Sequence, residues 1–151
     1  MKTLEDFEPG NIIRLGYRSV DEAEIIAFGQ AYDPQIFHTD AVAAQDSVFA
    51  GLVASGWHTA GICMRLVCDT FMLETACNGS PGIQDLKWLK PVRPGDTLTG
   101  YVKVLEQIPS RSKPDRGASR QLWVLENQTG EPVFSLEGTI LMMRRKATNA
   151  D

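Results

Sequence analysis

The chain has 151 residues, of which 43% are hydrophobic and 23% are charged, and its formal net charge is −4. This length and composition predict one soluble globular domain, residues 1–151, with its core at about 10–145. The negative charge argues against a nucleic-acid partner, and the N-terminus has no basic segment followed by an apolar one that would indicate secretion. The three cysteines, Cys63, Cys68 and Cys77, cannot all pair and match no zinc motif, so we expect buried thiols in a reducing cytoplasm.

The N-terminal part of the chain predicts a strand, a helix and a break. Residues 12–17 fit a short first strand. Ser19 to Glu22 fit a capping box, in which a serine oxygen and a glutamate satisfy free N–H groups at the start of a helix. We expect the helix that follows to end at Asp33-Pro34, because the residue before proline avoids the helical conformation.

A short helix and a connector are expected next. Thr39 or Asp40 is of the type that caps a helix, which would then run through Ala44. Residues 47–54 are small and apolar, so we interpret them as a buried connector.

The segment from Gly56 to Cys77 predicts one central helix, about 30 Å long, that includes all three cysteines. Its apolar residues cover most of the helix circumference, which predicts burial nearly all round; they are Trp57, Ile62, Met64, Leu66, Val67, Phe71, Met72 and Leu73. A membrane span is the alternative, and it is rejected because Arg65, Asp69 and Glu74 would fall within the apolar length of about 20 residues.

From Gly82 onward the apolar period changes to two, which predicts an antiparallel sheet of four or five strands. In the region of residues 98–104, Leu98, Val102 and Val104 are expected to face the core. Residues 109–117 are polar and basic and predict a loop, and residues 146–151 predict a disordered tail. The sheet and the helix give an α+β class with exposed edge strands, which pairing into a dimer would cover.

Three residues with complementary chemistry lie close together in the sequence. Asp33 and His38 are five positions apart across a turn, and Gly56 begins the central helix. An acid, a base and a helix N-terminus are the groups needed to move a proton beside a polarised carbonyl. The alternatives are a turn role for Asp33 and a structural role for His38. Ser55 is most simply the N-cap of the helix, and His58 a core or interface histidine or a support for the site.

Three stretches together resemble the MaoC-like dehydratase family, which are hotdog-fold proteins related to R-specific enoyl-CoA hydratases. They are Tyr-Asp-Pro-Gln-Ile-Phe-His-Thr-Asp at 32–40, Phe-Ala-Gly-Leu-Val-Ala-Ser-Gly at 49–56 and Leu-Lys-Pro-Val-Arg-Pro-Gly-Asp at 89–96. The resemblance covers about residues 10–145. It implies a hotdog fold, in which an antiparallel sheet wraps a long central helix. It also implies a lyase that adds water to the double bond of an enoyl thioester, or removes it.

The resemblance assigns roles to individual residues. Asp33 and His38 fall on the catalytic Asp and His of the family, and Gly56 falls on the glycine whose N–H faces the thioester oxygen. Two positions depart from the family pattern. The Asn-Pro pair of the usual Gly-Asp-x-Asn-Pro-x-His is absent, and Gln35 stands near the Asn. The usual His before the glycine is Ser55.

Substrate contacts are expected beside these residues. We expect Tyr32, Phe37, Ser55 and Trp57 to bind the acyl thioester, although core packing explains the aromatic residues equally well. Trp88 is expected in the core. Arg93 and the basic loop 111–116 are expected to be solvated, with contact to coenzyme A phosphates as the alternative.

No metal ion or redox cofactor is expected, because the sequence has no His/Cys cluster and no glycine-rich phosphate loop. Coenzyme A would enter only as part of the substrate, an acyl-CoA or acyl-carrier thioester. The expected partner is a second copy of the chain, in a homodimer or an oligomer of dimers, with no nucleic acid and no membrane. Two other functions stay open: a hotdog acyl-CoA thioesterase, and an acyl-thioester-binding subunit without turnover.

Overall fold

The computed structural model describes residues 1–146. The helices are α1 (Glu22–Tyr32), α2 (Ile36–Thr39) and α3 (Gly56–Thr70). The strands are β1 (Ile12–Arg14), β2 (Arg18–Ser19), β3 (Gly82–Trp88), β4 (Thr97–Pro109), β5 (Arg116–Glu126) and β6 (Pro132–Met143). Three short 3-10 turns lie at Leu4–Asp6, Ala43–Asp46 and Met72–Glu74. The predicted tail is residues 146–151, and residues 147–151 of it lie outside the described part of the chain.

The strands form one antiparallel sheet in the order β1-β4-β5-β6-β3, and β2 pairs with β4. Leu98, Val102 and Val104 are fully buried on the inner face of β4, as their alternation predicts. The sheet has six strands where four or five were expected, because β2 has only two residues and no apolar alternation that would reveal it.

Helix α3 packs an apolar stripe onto the sheet but is shorter than predicted. The buried stripe on its inner side is Ile62, Cys63, Leu66 and Val67. The helix has 15 residues, so it is about 22 Å long. It ends where Phe71 leaves the helical conformation, at φ −156°, and packs its ring 5.4 Å from that of Phe7. Cys77 therefore lies beyond the helix, and the expectation that all three cysteines share one helix is wrong.

One face of α3 is exposed in the single chain, so the expectation of burial nearly all round is wrong. Trp57 is 60% exposed, and Met64 is also exposed. Trp57 contacts Trp88 of β3, and Met64 and Ile83 line one small cavity. The exposed face of α3 thus lies along the edge strand β3. In the described part of the chain, no helix has the length and apolar character to cross a membrane.

The N-cap of helix α1 lies two residues after the predicted one. The N-cap is Asp21, whose carboxylate accepts the N–H of Glu24 at 2.7 Å. Ser19 belongs to β2, and its hydroxyl lies 2.8 Å from that of Thr97. The capping box predicted at Ser19 is therefore wrong. The helix ends at Tyr32, directly before Asp33, as predicted.

The segment between α1 and α3 also differs from its prediction. Helix α2 precedes Asp40 instead of following it, and the Asp40 carboxylate accepts the N–H groups of Val42 and Ala43 in a turn. The connector is exposed at Val48 and buried only from residue 51 to residue 55. Its buried half leads directly into α3.

Candidate active site

Asp33 and His38 come together because two helices cross closely. Asp33 is the C-cap of α1, and its N–H donates to the carbonyl of Gly29. A Cβ atom added at Gly29 would lie 2.5 Å from the carbonyl oxygen of His38, so only glycine allows α2 to approach α1 this closely. The result is a distance of 3.3 Å between His38 Nε2 and Asp33 Oδ2. The structure thus brings together the two residues predicted as acid and base.

The imidazole of His38 has a defined orientation. The side chain is buried, and its Nδ1 lies 2.7 Å from the carbonyl oxygen of Val53. A carbonyl oxygen only accepts hydrogen bonds, so Nδ1 carries a proton. In neutral His38 the other nitrogen, Nε2, is therefore an acceptor, and it faces Asp33.

Both oxygens of the Asp33 carboxylate are held by donors. Gln35 Nε2 donates to Oδ1 at 2.8 Å, and Ser55 Oγ donates to Oδ2 at 2.7 Å. Burial by itself raises the pKa of Asp33, but these two hydrogen bonds and the charge of protonated His38 outweigh it, so the pKa is lowered. Asp33 is therefore ionised at neutral pH and acts as an acceptor.

Ser55 is the N-cap residue of α3, as the sequence predicts, but the expected hydrogen bond from the first turn to its oxygen is absent. Its side chain is fully buried and makes no hydrogen bond to the first turn of α3, and its hydroxyl donates to Asp33. The N-terminus of α3, which carries the partial positive charge of the helix, adjoins a cavity that Gly56 lines. A Cβ atom at Gly56 would overlap the indole of Trp88, so the ring lies directly against the glycine backbone.

The cavity has a volume of about 450 Å³ and joins the acid–base pair to the N-terminus of α3. Its lining includes four aromatic side chains. The lining residues are Asp33, Gln35, Phe37, His38, Phe49, Val53, Ala54, Gly56, Trp57, Thr59, Trp88, Leu89, Lys90, Pro91 and Val92. The cavity is large enough for a small acyl group and is open to the surface.

Only some of the predicted substrate-binding residues line the cavity. Phe37 and Trp57 line the cavity, and Ser55 lies behind it against Asp33. Tyr32 does not line it: its side chain is 77% exposed and borders a separate cavity between α1 and α3. Trp88, expected in the core, is half-exposed and lines the site.

Two other lining residues were not identified from the sequence. Phe49 packs its ring 5.1 Å from that of Phe37, and Arg93 donates to the Phe49 carbonyl oxygen at 2.6 Å. Lys90 lines the cavity and pairs with Glu131. Phe-Ala-Gly at 49–51 and the segment 89–96 belong to the stretches that carry the family resemblance. No local sequence signal indicates that residues of both line the same cavity.

His58 packs α3 against α1 and does not line the cavity that contains Asp33 and His38. Its ring stacks on Phe28 with centroids 4.8 Å apart, and its Nε2 lies 3.2 Å from Glu24 Oε1. The same carboxylate oxygen accepts from Arg18 at 2.8 Å. The interpretation of His58 as a core histidine fits these contacts.

The basic loop lies far from the cavity in the same chain. It joins β4 to β5, so all 13 residues of β4 separate it from the segment before β4, of which residues 89–92 line the cavity. Within residues 1–146, no group of three or more His, Cys, Asp or Glu side chains is placed to hold a metal ion. The expectation of a metal-free reaction remains a prediction.

Comparison with solved structures shows a shared fold. The chain is 39% identical to a MaoC-like dehydratase from Rhodospirillum rubrum, with 96% of this chain and 99% of that chain covered and a TM-score of 0.89. An R-hydratase from Pseudomonas aeruginosa, PhaJ1, is 23% identical over 95% of this chain and 86% of its own, with a TM-score of 0.77. The sheet and its packed helix are thus those of the hotdog fold, as the resemblance implied.

Comparison with known sequences points the same way. The Bacillus subtilis (strain 168) protein YdeM, which is itself uncharacterized, is 28% identical over 141 residues, or 93% of this chain and 99% of its own. The family model for the MaoC like domain matches residues 8–122, which is more than half of the chain. This protein therefore belongs to the MaoC-like domain family.

Proposed function

We propose that the protein is a lyase that adds water to the double bond of a trans-2-enoyl thioester, or removes it in the reverse direction. The observation that carries this proposal is the 3.3 Å approach of Asp33 Oδ2 and His38 Nε2 in a cavity that ends at the N-terminus of α3. The likeness to a solved MaoC-like dehydratase from Rhodospirillum rubrum supports it. The substrate enters as an acyl-CoA or acyl-carrier thioester, and coenzyme A is no separate cofactor.

The two side chains are suited to hold one water molecule. Ionised Asp33 and neutral His38 both present acceptors to the cavity, and a water lying against both donates one hydrogen to each. This leaves the lone pairs of the water oxygen free to point toward the β-carbon of the substrate. The pair then acts in turn as base and acid, which contributes roughly 10²–10⁴-fold in rate.

In the proposed hydration, the water oxygen adds to the β-carbon and a proton adds to the α-carbon. The water oxygen bonds to the β-carbon while one of its protons passes to the acid–base pair. The electrons of the double bond move toward the thioester, and the α-carbon takes up a proton from the pair. The thioester oxygen becomes enolate-like, and the N–H of Gly56 at the start of α3 stabilises it.

The aromatic lining supplies the acyl-binding surface in this proposal. Phe37 and Trp57 contact the acyl group as expected from the sequence, and the exposed rim next to Leu89 admits the carrier end of the thioester. Location in the cytoplasm belongs to the same proposal and is consistent with the three free thiols.

A homodimer, or an oligomer built from dimers, completes the proposed enzyme. Among the strands of residues 1–146, β3 pairs with β6 alone and is therefore an edge strand, and its Ile83 and Trp88 are exposed. Exposed Trp57 and Met64 of α3 extend this apolar surface. A second copy that pairs its own β3 with this edge would satisfy the open backbone groups and cover the surface.

The first test follows the loss of enoyl absorbance with short and medium trans-2-enoyl-CoA substrates. We expect the wild type to hydrate them, and Asp33→Asn and His38→Ala each to lose at least about a hundredfold in rate. Asp40→Asn is the matched control, because Asp40 only orders a turn outside the cavity and asparagine can accept the same hydrogen bonds.

Other outcomes identify another function. Release of free thiol from a saturated acyl-CoA would show a thioesterase that directs the water at the carbonyl carbon. Tight binding of the thioester with no product of either kind would show a binding subunit. Full hydratase activity in both Asp33→Asn and His38→Ala would refute the assigned acid–base pair.

A further inference from the structure

We propose that Ser55 is a positioning residue that holds the carboxylate of Asp33 against His38, which deepens the function proposed above and rests on it. The hydroxyl of Ser55 lies at the helix start, where a serine oxygen ordinarily accepts an N–H of the first turn and stabilises the helix. Here it makes no such cap and donates to Asp33 Oδ2 at 2.7 Å. A cap would use the hydroxyl oxygen as an acceptor, and in the structure that oxygen accepts no N–H from the first turn, so its one directed hydrogen bond there is the donation to Asp33.

Of the two donors on Asp33, only Ser55 ties it to α3. Gln35 is exposed and lies two residues away on the same loop, so it moves with Asp33. Ser55 is fully buried and 22 residues away, and its own carbonyl oxygen is held by the N–H of Thr59 at 3.1 Å. The hydrogen bond from Ser55 therefore fixes the carboxylate relative to Gly56, the next residue in the chain.

The short segment 53–56 orients every group of the proposed reaction. The Val53 carbonyl accepts from His38 Nδ1, and the Ser55 hydroxyl donates to Asp33. Gly56 then supplies the N–H at the helix start. The segment is itself anchored on both sides, because Val53 N–H donates to Phe37 at 2.9 Å and Ala54 N–H donates to Val92 at 2.8 Å.

One short segment bonds both the acid and the base and contains the oxyanion donor. The relative positions of the three groups therefore depend on the backbone of residues 53–56. A misplacement of about 1 Å in a catalytic group costs on the order of a hundredfold in rate. Removal of the Ser55 hydroxyl frees the carboxylate of Asp33 to rotate away from His38, so the loss should appear in kcat and not in substrate binding.

The test uses Ser55→Ala in the full-length protein. We expect kcat to fall about tenfold to a hundredfold with KM changed by less than about threefold. Ser119→Ala is the matched control, because Ser119 is equally buried and bonded to Gln121 but lies in β5 outside the cavity. It loses a buried hydroxyl and should keep wild-type kcat.

A second readout does not depend on activity. The pKa of Asp33, measured by carbon NMR of its carboxyl group, should rise in Ser55→Ala because a donor to the charged form is lost, and should stay unchanged in Ser119→Ala. The acidic limb of the kcat/KM profile should move to higher pH with it. Among the described titratable groups, His38 lies against Asp33 and Lys90 lines the same cavity, and both are unaltered in these variants.

The two readouts separate the two proposals. If the wild type proves inactive toward every thioester, the proposed function fails, and the NMR titration still decides the role of Ser55. An unchanged Asp33 pKa in Ser55→Ala overturns the positioning role. If Ser55→Ala does not fold, Ser55→Cys, which is nearly isosteric and a much weaker donor, should give the same direction of change, and wild-type values for it would overturn the proposal.

Discussion

The same substitution at two glycines of α3 tests how the site is packed. Gly61 has no atom within 4 Å of the position where a Cβ would lie, whereas a Cβ at Gly56 would overlap the indole of Trp88. Alanine is favoured over glycine in a helix by about 0.8–1 kcal/mol. Gly61→Ala should therefore raise the free energy of unfolding by up to about 1 kcal/mol.

Gly56→Ala should have the opposite sign. Insertion of a methyl group into a packed contact costs about 1–3 kcal/mol, which exceeds the helix gain at this first helical position. We expect a net loss of roughly 1–2 kcal/mol, or a fall in Tm of a few degrees for a chain of this size. Displacement of Trp88 should also lower activity, because the ring forms a wall of the cavity.

The assay is urea denaturation of the wild type and both variants at one pH, with thermal unfolding beside it. The difference between Gly61→Ala and Gly56→Ala combines the contact with Trp88 and the smaller helix gain at the first helical position, and the Trp88→Ala background separates the two. In the background Trp88→Ala the difference should shrink. Equal stabilisation by both alanines would show that the Trp88 ring does not lie against Gly56, and the described shape of the cavity would be wrong.

Three further predictions concern the core, a thiol and pH. Leu66→Ala should cost about 2–5 kcal/mol in the free energy of unfolding and the exposed Leu73→Ala less than about 0.5, and similar values from urea denaturation would contradict the packing of α3. Burial raises the pKa of Cys63 to about 12, so at pH 8 an alkylating reagent should modify it only after unfolding, as mass spectrometry of native and denatured protein will show. The pKa of Glu5 is lowered from 4.5 to about 2, because a hydrogen bond from the Arg145 N–H and other donors outweighs the opposing effect of burial. A lowered pKa stabilises the fold above the unfolded value, so the stability gap between wild type and Glu5→Gln should be full above pH 4.5 and vanish as pH falls toward about 2; a gap that persists at pH 2 would refute it.

Local signals predicted those features that depend on neighbours in the chain. Pro34 predicted the end of α1 at Asp33, and the period-two pattern predicted the buried face of β4. The end of α3 at Phe71 had no such signal, since no glycine or proline is there. It depends on the contact of Phe71 with Phe7, 64 positions away in the chain, and such contacts are not visible in a local pattern.

The site residues also divide into those that local sequence predicts and those that distant contacts determine. Tyr32 was expected beside Asp33 because the two are adjacent in sequence. Tyr32 is still part of α1, whereas Asp33 has φ −150° and ψ 70°, so the chain turns between them and the side chains reach different cavities. Ser55 was expected to cap α3 because it precedes a helix. Its actual partner, Asp33, is placed there by the packing of α1, which the sequence around Ser55 does not encode.

The two departures from the family pattern meet at one carboxylate. Gln35 stands near the usual Asn and Ser55 replaces the usual His, and these are the two side chains that donate to Asp33, one to each oxygen. The substitutions are 20 positions apart, yet they act on the same group. Both supply a neutral hydrogen-bond donor, which favours the ionised form of Asp33 without adding a charge next to His38. The departures therefore keep Asp33 and His38 together, and in the proposed reaction they favour the ionised form of Asp33 as the starting state.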